Sequence, residues 1–358
     1  MIANIQVLRA VAALAVVLHH TQFQLSLIYG TPHFALVGRA GVDLFFLISG
    51  FVMVYTTRDT QRTTTQFWMD RAVRIVPLYW LGTTLVIALF LVGLPALDVQ
   101  ELRLGDIVKS YLFIPYLASY GEGRPILDVG WTLNYEIYFY ALFGLTFFVR
   151  SQARALLMLA VLFVAIWLFV KLNPQLPFVI AHYGSALVFE FLLGGAIALW
   201  HHRWISGKPV QRPTLGAVLV LVGLVAVFLG GWKFAAIVNQ NPELRVAVFG
   251  GPAILVLVGA LLLEQAGYTV KSRFVLLLGA ASFAIYLAHP MVLQMAVPAF
   301  NAIVPGTSLA HKAGAVVFAF TLAVAAGLAV HLWVERPMTA GLRAMLKRKP
   351  RPELAPET

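Results

Sequence analysis

The chain has 358 residues, of which 60% are hydrophobic and only 11% are Asp, Glu, Lys or Arg, whereas ordinary globular chains carry roughly 25% charged residues. So few charges cannot clothe a water-soluble surface, and with a mean hydropathy of +0.84 the composition points to a polytopic membrane protein and excludes disorder, collagen-like chains and solenoid repeats. Cysteine is absent, which removes disulfides, thiolate catalysis and Cys-ligated zinc. The formal charge of +11 resembles a nucleic-acid signal. The basic residues lie mainly between apolar runs and in the tail, however, which is the pattern of membrane topology.

Ten apolar runs approach the ~20 residues that cross a bilayer. In chain order they cover about 4–24, 38–57, 75–94, 130–149, 155–171, 183–200, 214–231, 246–263, 275–299 and 312–334. The fold class expected is therefore all-α, a membrane helix bundle of about ten spans. The run 107–119 is too short to cross and reads as an interfacial segment or a loop tucked against the bundle. The first run is long enough to remain as a span, and no cleavable signal is expected. Residues 1–336 read as one membrane domain without soluble appendages. Residues 337–358, basic and then Pro-rich, read as a disordered tail.

Ten spans put both termini on one side. With the termini inside, seventeen of the 26 Lys and Arg fall on inner segments and eight on outer ones, Arg9 lying within a span. That bias predicts cytoplasmic termini.

Ionisable groups in hydrocarbon cost about 2.5–3.5 kcal/mol each even on lenient scales, so they mark either function or helix–helix locking. Arg9 and His20 are eleven residues apart, close to three helical turns, so they share one face about 16 Å apart along the axis. A transferase with an anionic donor on one side and an acceptor on the other could use such a face. His19 points about 100° away. Glu136, in WTLNYEIYFY, lies at a depth similar to His20 and is a candidate to orient its imidazole for general-base chemistry. Asp43, in GVDLFFLISGF, is a second candidate for that role or a packing group. Arg71 and Arg74, at i and i+3 ahead of the third span, can clamp phosphates or merely reflect topology. Ser282, Tyr286 and His289 share one face of span 9 and could line a substrate path or glue helices. Glu335, in VERP, is a candidate partner for Arg71 or Arg74, and Glu190 is a further intramembrane acid. No zinc, P-loop, GxGxxG or GxSxG pattern is present, and no metal is expected.

Taken in order, LRAVAALAVVLHH, GVDLFFLISGF, RAVRIVPLYW, WTLNYEIYFY, LGAASFAIYLAHP and VERP resemble the acyltransferase-3 family of integral membrane acyltransferases, across essentially the whole chain. The family's Arg-x10-His motif falls on Arg9 and His20, its paired basic residues on Arg71 and Arg74, and its span-4 glutamate on Glu136. The sequence departs from many relatives in LRAVAAL, where glycine often follows the arginine, and at Phe283 and Ala284, where Tyr-Ser is frequent. PILDVGWTLNYEIYFY is similar to the exopolysaccharide-production branch, which lacks the hydrolase-like domain of other branches.

The resemblance implies an acyl-CoA-dependent O-acetyltransferase of the bacterial inner membrane. Acetyl-CoA would be a donor substrate, no cofactor would be tightly bound, and the acceptor would be a lipid-linked or polymeric glycan. Arg9, Arg71 and Arg74 would hold the CoA phosphates. His20, oriented by Glu136 or Asp43, would act directly as base or carry the acyl group. Membrane lipids are partners, a homo-oligomer is left open, and nucleic acid is not expected. The rival reading is a proton-coupled transporter or flippase for a glycan or lipid, with His20, Glu136 and Glu190 as its relay.

Overall fold

A computed structural model describes residues 2–30, 35–57, 62–94, 99–118, 123–205, 212–234, 237–238 and 240–347. Among these residues the chain is helical with no strands. The first half forms α1 (Ala3–Tyr29), α2 (Ala40–Thr57), α3 (Thr64–Leu91), α4 (Leu104–Tyr111), α5 (Trp131–Leu145), α6 (Gln152–Leu172) and α7 (Phe178–Tyr183). The second half forms α8 (Val188–Trp200), α9 (Pro213–Phe234), α10 (Pro242–Arg245), α11 (Gly251–Gln265), α12 (Arg273–Ala280), α13 (Ser282–Ile303), α14 (Leu309–Val330) and α15 (Arg336–Lys347).

All ten expected runs are helical. Nine helices among the described residues are long and apolar enough to cross a membrane. The remaining run, 130–149, is α5, only 15 residues long and continued by a short 3₁₀ turn. The segment α4 packs beside α3, where Trp80 Nε1 donates to the Tyr111 carbonyl at 2.8 Å.

Local chemistry explains several boundaries. α1 stops at Gly30, whose φ of 60° is left-handed and open to glycine. α3 starts eleven residues before the apolar run because Thr63 and Gln66 form a capping box, so Arg71 and Arg74 lie within the helix. The tail expected to be disordered is helical over Arg336–Lys347. Its Ala, Leu, Met, Arg and Lys residues favour helix, and Met338 packs against the core. Residues 348–358 lie outside the described part.

The layers follow from burial. In the Val37–Thr57 span, 72% of the most apolar window is buried, against 22% in Gln152–Leu172 and Pro213–Phe234. α2 is thus the central helix, packed on α1, α5, α8 and α11. α6 and α9 present Leu157, Val161, Leu221 and Phe228 outward, as helices bathed in lipid do. Close approach of α2 and α8 depends on two glycines. A Cβ on Gly50 would land on the Phe191 carbonyl, and one on Gly194 on the Leu47 carbonyl. Small residues let membrane helices approach closely enough for packing to hold them together.

Gly50→Val and Gly194→Val are therefore expected to destabilise the bundle by at least the 1–3 kcal/mol typical of overpacking. Gly105→Ala, which meets nothing within 4 Å, should be neutral. Thermal unfolding in detergent distinguishes these outcomes.

Candidate active site

Two cavities open into the bundle, and both approach α1. One contains Arg9, Ser49, Arg74, Glu136, Tyr140 and Ser282 on its wall and has about 760 Å³ of open space, mouth included. It lies toward the end where the bundle holds the start of α1 and the end of α14, since Glu335 is an electrostatic neighbour of Arg9. We call it the terminal cavity. The distal cavity, at about 1890 Å³, has His20, Arg39, Asp128, Trp131 and His182 on its wall. Val42 and Tyr286 line both cavities. The Tyr286 hydroxyl donates to the Val129 carbonyl at 3.1 Å and lies 2.9 Å from the Thr132 hydroxyl, which fixes this partition.

Because α1 is unbroken from Ala3 to Tyr29, the spacing of Arg9 and His20 survives folding: one face, about 16 Å. Each residue faces a different cavity. Arg9 donates to Gln6 Oε1 at 3.3 Å. Arg74 joins it in the terminal cavity, whereas Arg71 stands behind, its guanidinium 5.8 Å from the centre of the Phe67 ring.

His20 is partnered by a residue assigned from sequence only to a substrate path. Its Nδ1 lies 2.7 Å from Nε2 of fully buried His289, and His289 Nδ1 lies 3.2 Å from the Ile285 carbonyl. The carbonyl can only accept, so His289 Nδ1 carries a proton and its Nε2 accepts one from His20 Nδ1–H. That chain of bonds assigns the lone pair of His20 to Nε2.

Neither carboxylate expected beside His20 is bonded to it. Glu136 accepts hydrogen bonds from Ser49 Oγ at 2.9 Å and from the Tyr140 hydroxyl, in the terminal cavity beside Arg9 and Arg74. Asp43 is fully buried and accepts from Arg245 Nε at 2.9 Å and Nη2 at 2.8 Å. Glu190 lies against that pair and lines neither cavity. Ser282 faces the terminal cavity with its buried hydroxyl unbonded among the described residues. Tyr286 is the partition, and His289 backs His20. Glu335 bonds His331 at 2.7 Å, not the expected Arg71 or Arg74. Among the described residues no group of three or more metal-ligating side chains forms.

Arg39 and Arg245, which the sequence reading does not single out, both line the distal cavity. A signal existed for Tyr140, which is i+4 from Glu136 and so on its face.

The helix bundle thus carries an arginine-lined cavity on one side and an imidazole pair on the other, with Val42 and Tyr286 lining both. The chain belongs to the acyltransferase-3 family: its acyltransferase-domain model matches residues 2–334. It is thus a multi-pass membrane acyltransferase. The chain is 34% identical to the exopolysaccharide production protein ExoZ of Rhizobium meliloti over 88% of its own length and 93% of the relative's. It is 28% identical to the acyltransferase MdmB of Streptomyces mycarofaciens, over 96% and 92% of the two lengths. It is 24% identical to the peptidoglycan O-acetyltransferase OatA of Listeria monocytogenes over 83% of this chain, but spans only 50% of that protein. None of the solved structures matches.

The His289 assignment makes a direct prediction. His289→Phe keeps the ring volume but removes the acceptor for His20 Nδ1–H. It should lower kcat about 10–10²-fold, part of the 10²–10⁴ that a general base contributes. His289→Gln, whose amide oxygen can accept the same bond, should recover part of the loss. Equal loss in both variants at equal protein abundance would reduce His289 to packing.

Proposed function

We propose that the protein is an acetyl-CoA-dependent O-acetyltransferase of the bacterial cytoplasmic membrane, acting on a hydroxyl of an exopolysaccharide or related lipid-linked surface glycan. The observation that carries this reading is the single face of α1 with Arg9 in one cavity and His20 in the other. Their ~16 Å separation is one that an extended pantetheine arm spans. The names of the relatives, exopolysaccharide production protein and O-acetyltransferase, support the acceptor class and the acetyl group.

In this reading the terminal cavity is cytoplasmic and takes the donor, with Arg9 and Arg74 on its phosphates and Arg71 adjoining. Glu136, held by Ser49 and Tyr140, offsets part of the arginine charge and keeps the guanidinium groups apart. The thioester points toward Tyr286, and the acceptor hydroxyl enters from the distal side against His20 Nε2. As the hydroxyl oxygen bonds to the acetyl carbon, its proton passes to Nε2, and His289 keeps the ring in the required tautomer. The tetrahedral adduct then breaks its C–S bond. His20 returns the proton to the thiolate sulfur, leaving an ester and free CoA thiol. A transporter relay through His20, Glu136 and Glu190 draws no support from this arrangement, because the three stand in separate surroundings.

Variants on the two sides should differ in kind. Arg9→Ala and Glu136→Gln should raise the apparent KM for acetyl-CoA, whereas His20→Ala should lower kcat by about 10²–10⁴ with donor affinity kept. Wild-type turnover by the His20 variant in membranes would sink the mechanism. Topology is tested separately. Reporter fusions at Arg62 and after Thr358 should read cytoplasm, and one at Glu122 the opposite side; a periplasmic C-terminus would reverse donor and acceptor cavities.

A further inference from the structure

The distal cavity has an electrostatic character that a neutral sugar would not use. Helices begin on its wall at three places: α2 at Arg39 and Val42, α5 at Asp128 and Trp131, and the continuous helix Pro242–Gln265 at Pro242 and Arg245. By contrast, α1 and α13 pass the cavity and end beyond it, at Tyr29 and Ile303. Helix starts carry partial positive charge from their unpaired amides. Three of them converge here, and the end of α7 at Tyr183 faces the start of α8 at Val188 on the same wall, so those two ends offset one another.

Side chains add to that potential. Arg39, Arg124 and Arg245 line the cavity, with Asp128 as the carboxylate on the same wall. Arg245 is engaged by buried Asp43, and Arg124 lies 3.3 Å from Asp128. Arg39 differs. Its Nε donates to His19 Nε2 at 3.2 Å, and no carboxylate among the described residues pairs with it. Its backbone carbonyl accepts from Arg245 Nη2 at 3.4 Å, so the buried ion pair also holds Arg39 in place. A second, independent feature asks for a ligand. His182, 9% exposed and stacked on Tyr135 at 4.1 Å between ring centroids, lines the same cavity, and its Nε2 has no hydrogen-bond partner among the described residues. Trp131 and Phe178 add aromatic rings to the wall, the Arg245 guanidinium lying 5.6 Å from the centre of the Trp131 ring.

We propose that the distal cavity selects an anionic acceptor: the glycan it admits carries a carboxylate or phosphate near the hydroxyl offered to His20, and Arg39 reads that charge. This rests on the distal cavity being the acceptor site. The positive helix ends and Arg39 then supply, inside a low-dielectric wall, what an anion loses on leaving water. The same surroundings give a neutral sugar no such return. Arg39 is a specificity residue, separate from the proton transfer.

The test uses the full-length protein in nanodiscs with acetyl-CoA and three acceptors. These are a uronate-containing trisaccharide, its neutral hexose counterpart, and the neutral trisaccharide carried on a polyprenyl diphosphate. Wild-type kcat/KM should favour a charged acceptor over the neutral one by about 10–100-fold, the worth of one hydrogen-bonded charge, and salt should narrow the gap. Arg39→Gln should collapse the preference through the acceptor KM while leaving the KM for acetyl-CoA and the rate on the neutral sugar alone. Arg39→Lys should retain much of it. Preference for the uronate locates the charge on the sugar, and preference for the diphosphate locates it on the carrier. Equal use of all three acceptors by wild type overturns the proposal, as does an Arg39→Gln variant that slows charged and neutral acceptors alike. Failure to acetylate any of the three, with donor binding intact, removes the acceptor-site reading and this proposal with it.

Discussion

Asp43 and Arg245 meet through two hydrogen bonds of 2.8–2.9 Å, with almost no solvent on either side chain. Neither charge is tolerable alone in such surroundings. Removing one partner of a buried pair costs about 3–5 kcal/mol because the other is left uncompensated. The pair therefore locks the start of α2 against the helix that begins at Pro242. Since α2 is the central helix, that lock sets positions elsewhere. Ser49, six residues further along α2, carries Glu136 into the terminal cavity, while α1 with its Arg9 and His20 packs on the same helix. The glycine contacts between α2 and α8 act in the same direction by leaving the central helix little room to slide.

The partition between the two cavities follows from this frame. Val42, one residue before Asp43, lines both, and so does Tyr286 of α13. A thick wall would keep a donor on one side from an acceptor on the other, and an open channel would let water and ions through. Tyr286, bonded at its tip to Val129 and Thr132, shares that wall with Val42. On the proposed function, transfer between the cavities requires only that a small group pass this point, and neither substrate has to cross the bilayer.

What could be read from the sequence divides along a physical line. Composition and apolar run length exposed the spans, because the bilayer imposes them on any helix. Positions on one helix were legible too, since the 3.6-residue period is independent of tertiary structure. Arg9 with His20, and Ser282 with Tyr286 and His289, lie on the faces that spacing predicts. Pairings between helices were not legible. His20 meets His289, Asp43 meets Arg245, and Glu136 meets Ser49 across separations of 269, 202 and 87 residues, where register depends on side-chain packing. Arg39 and Arg245 were not legible as cavity residues for the same reason: apolar length places a helix end only to within a turn or two, and both arginines fall in that margin. The start of α3 is different, because its Thr-x-x-Gln cap stands in the sequence.

The choice of a second histidine, and not a carboxylate, to hold His20 has an electrostatic logic in a bilayer. A carboxylate beside His20 would need either a counter-charge or a costly desolvation, and the distal cavity's arginines are already committed to Asp43, Asp128 and, on the proposed reading, the acceptor. A neutral imidazole bonded to a main-chain carbonyl fixes the tautomer without adding net charge. The carboxylates are placed instead where cations stand: Asp43 on Arg245, and Glu136 between Tyr140 and the Arg9–Arg74 pair. Fixed charge is thus placed where it holds helices, and on the proposed function the group that gains and loses a proton, His20, is bonded to a second imidazole and not to a carboxylate. On the proposed function, that separation lets charged residues strengthen binding on either side without a carboxylate placed against His20, provided α1 stays straight over the three turns between Arg9 and His20.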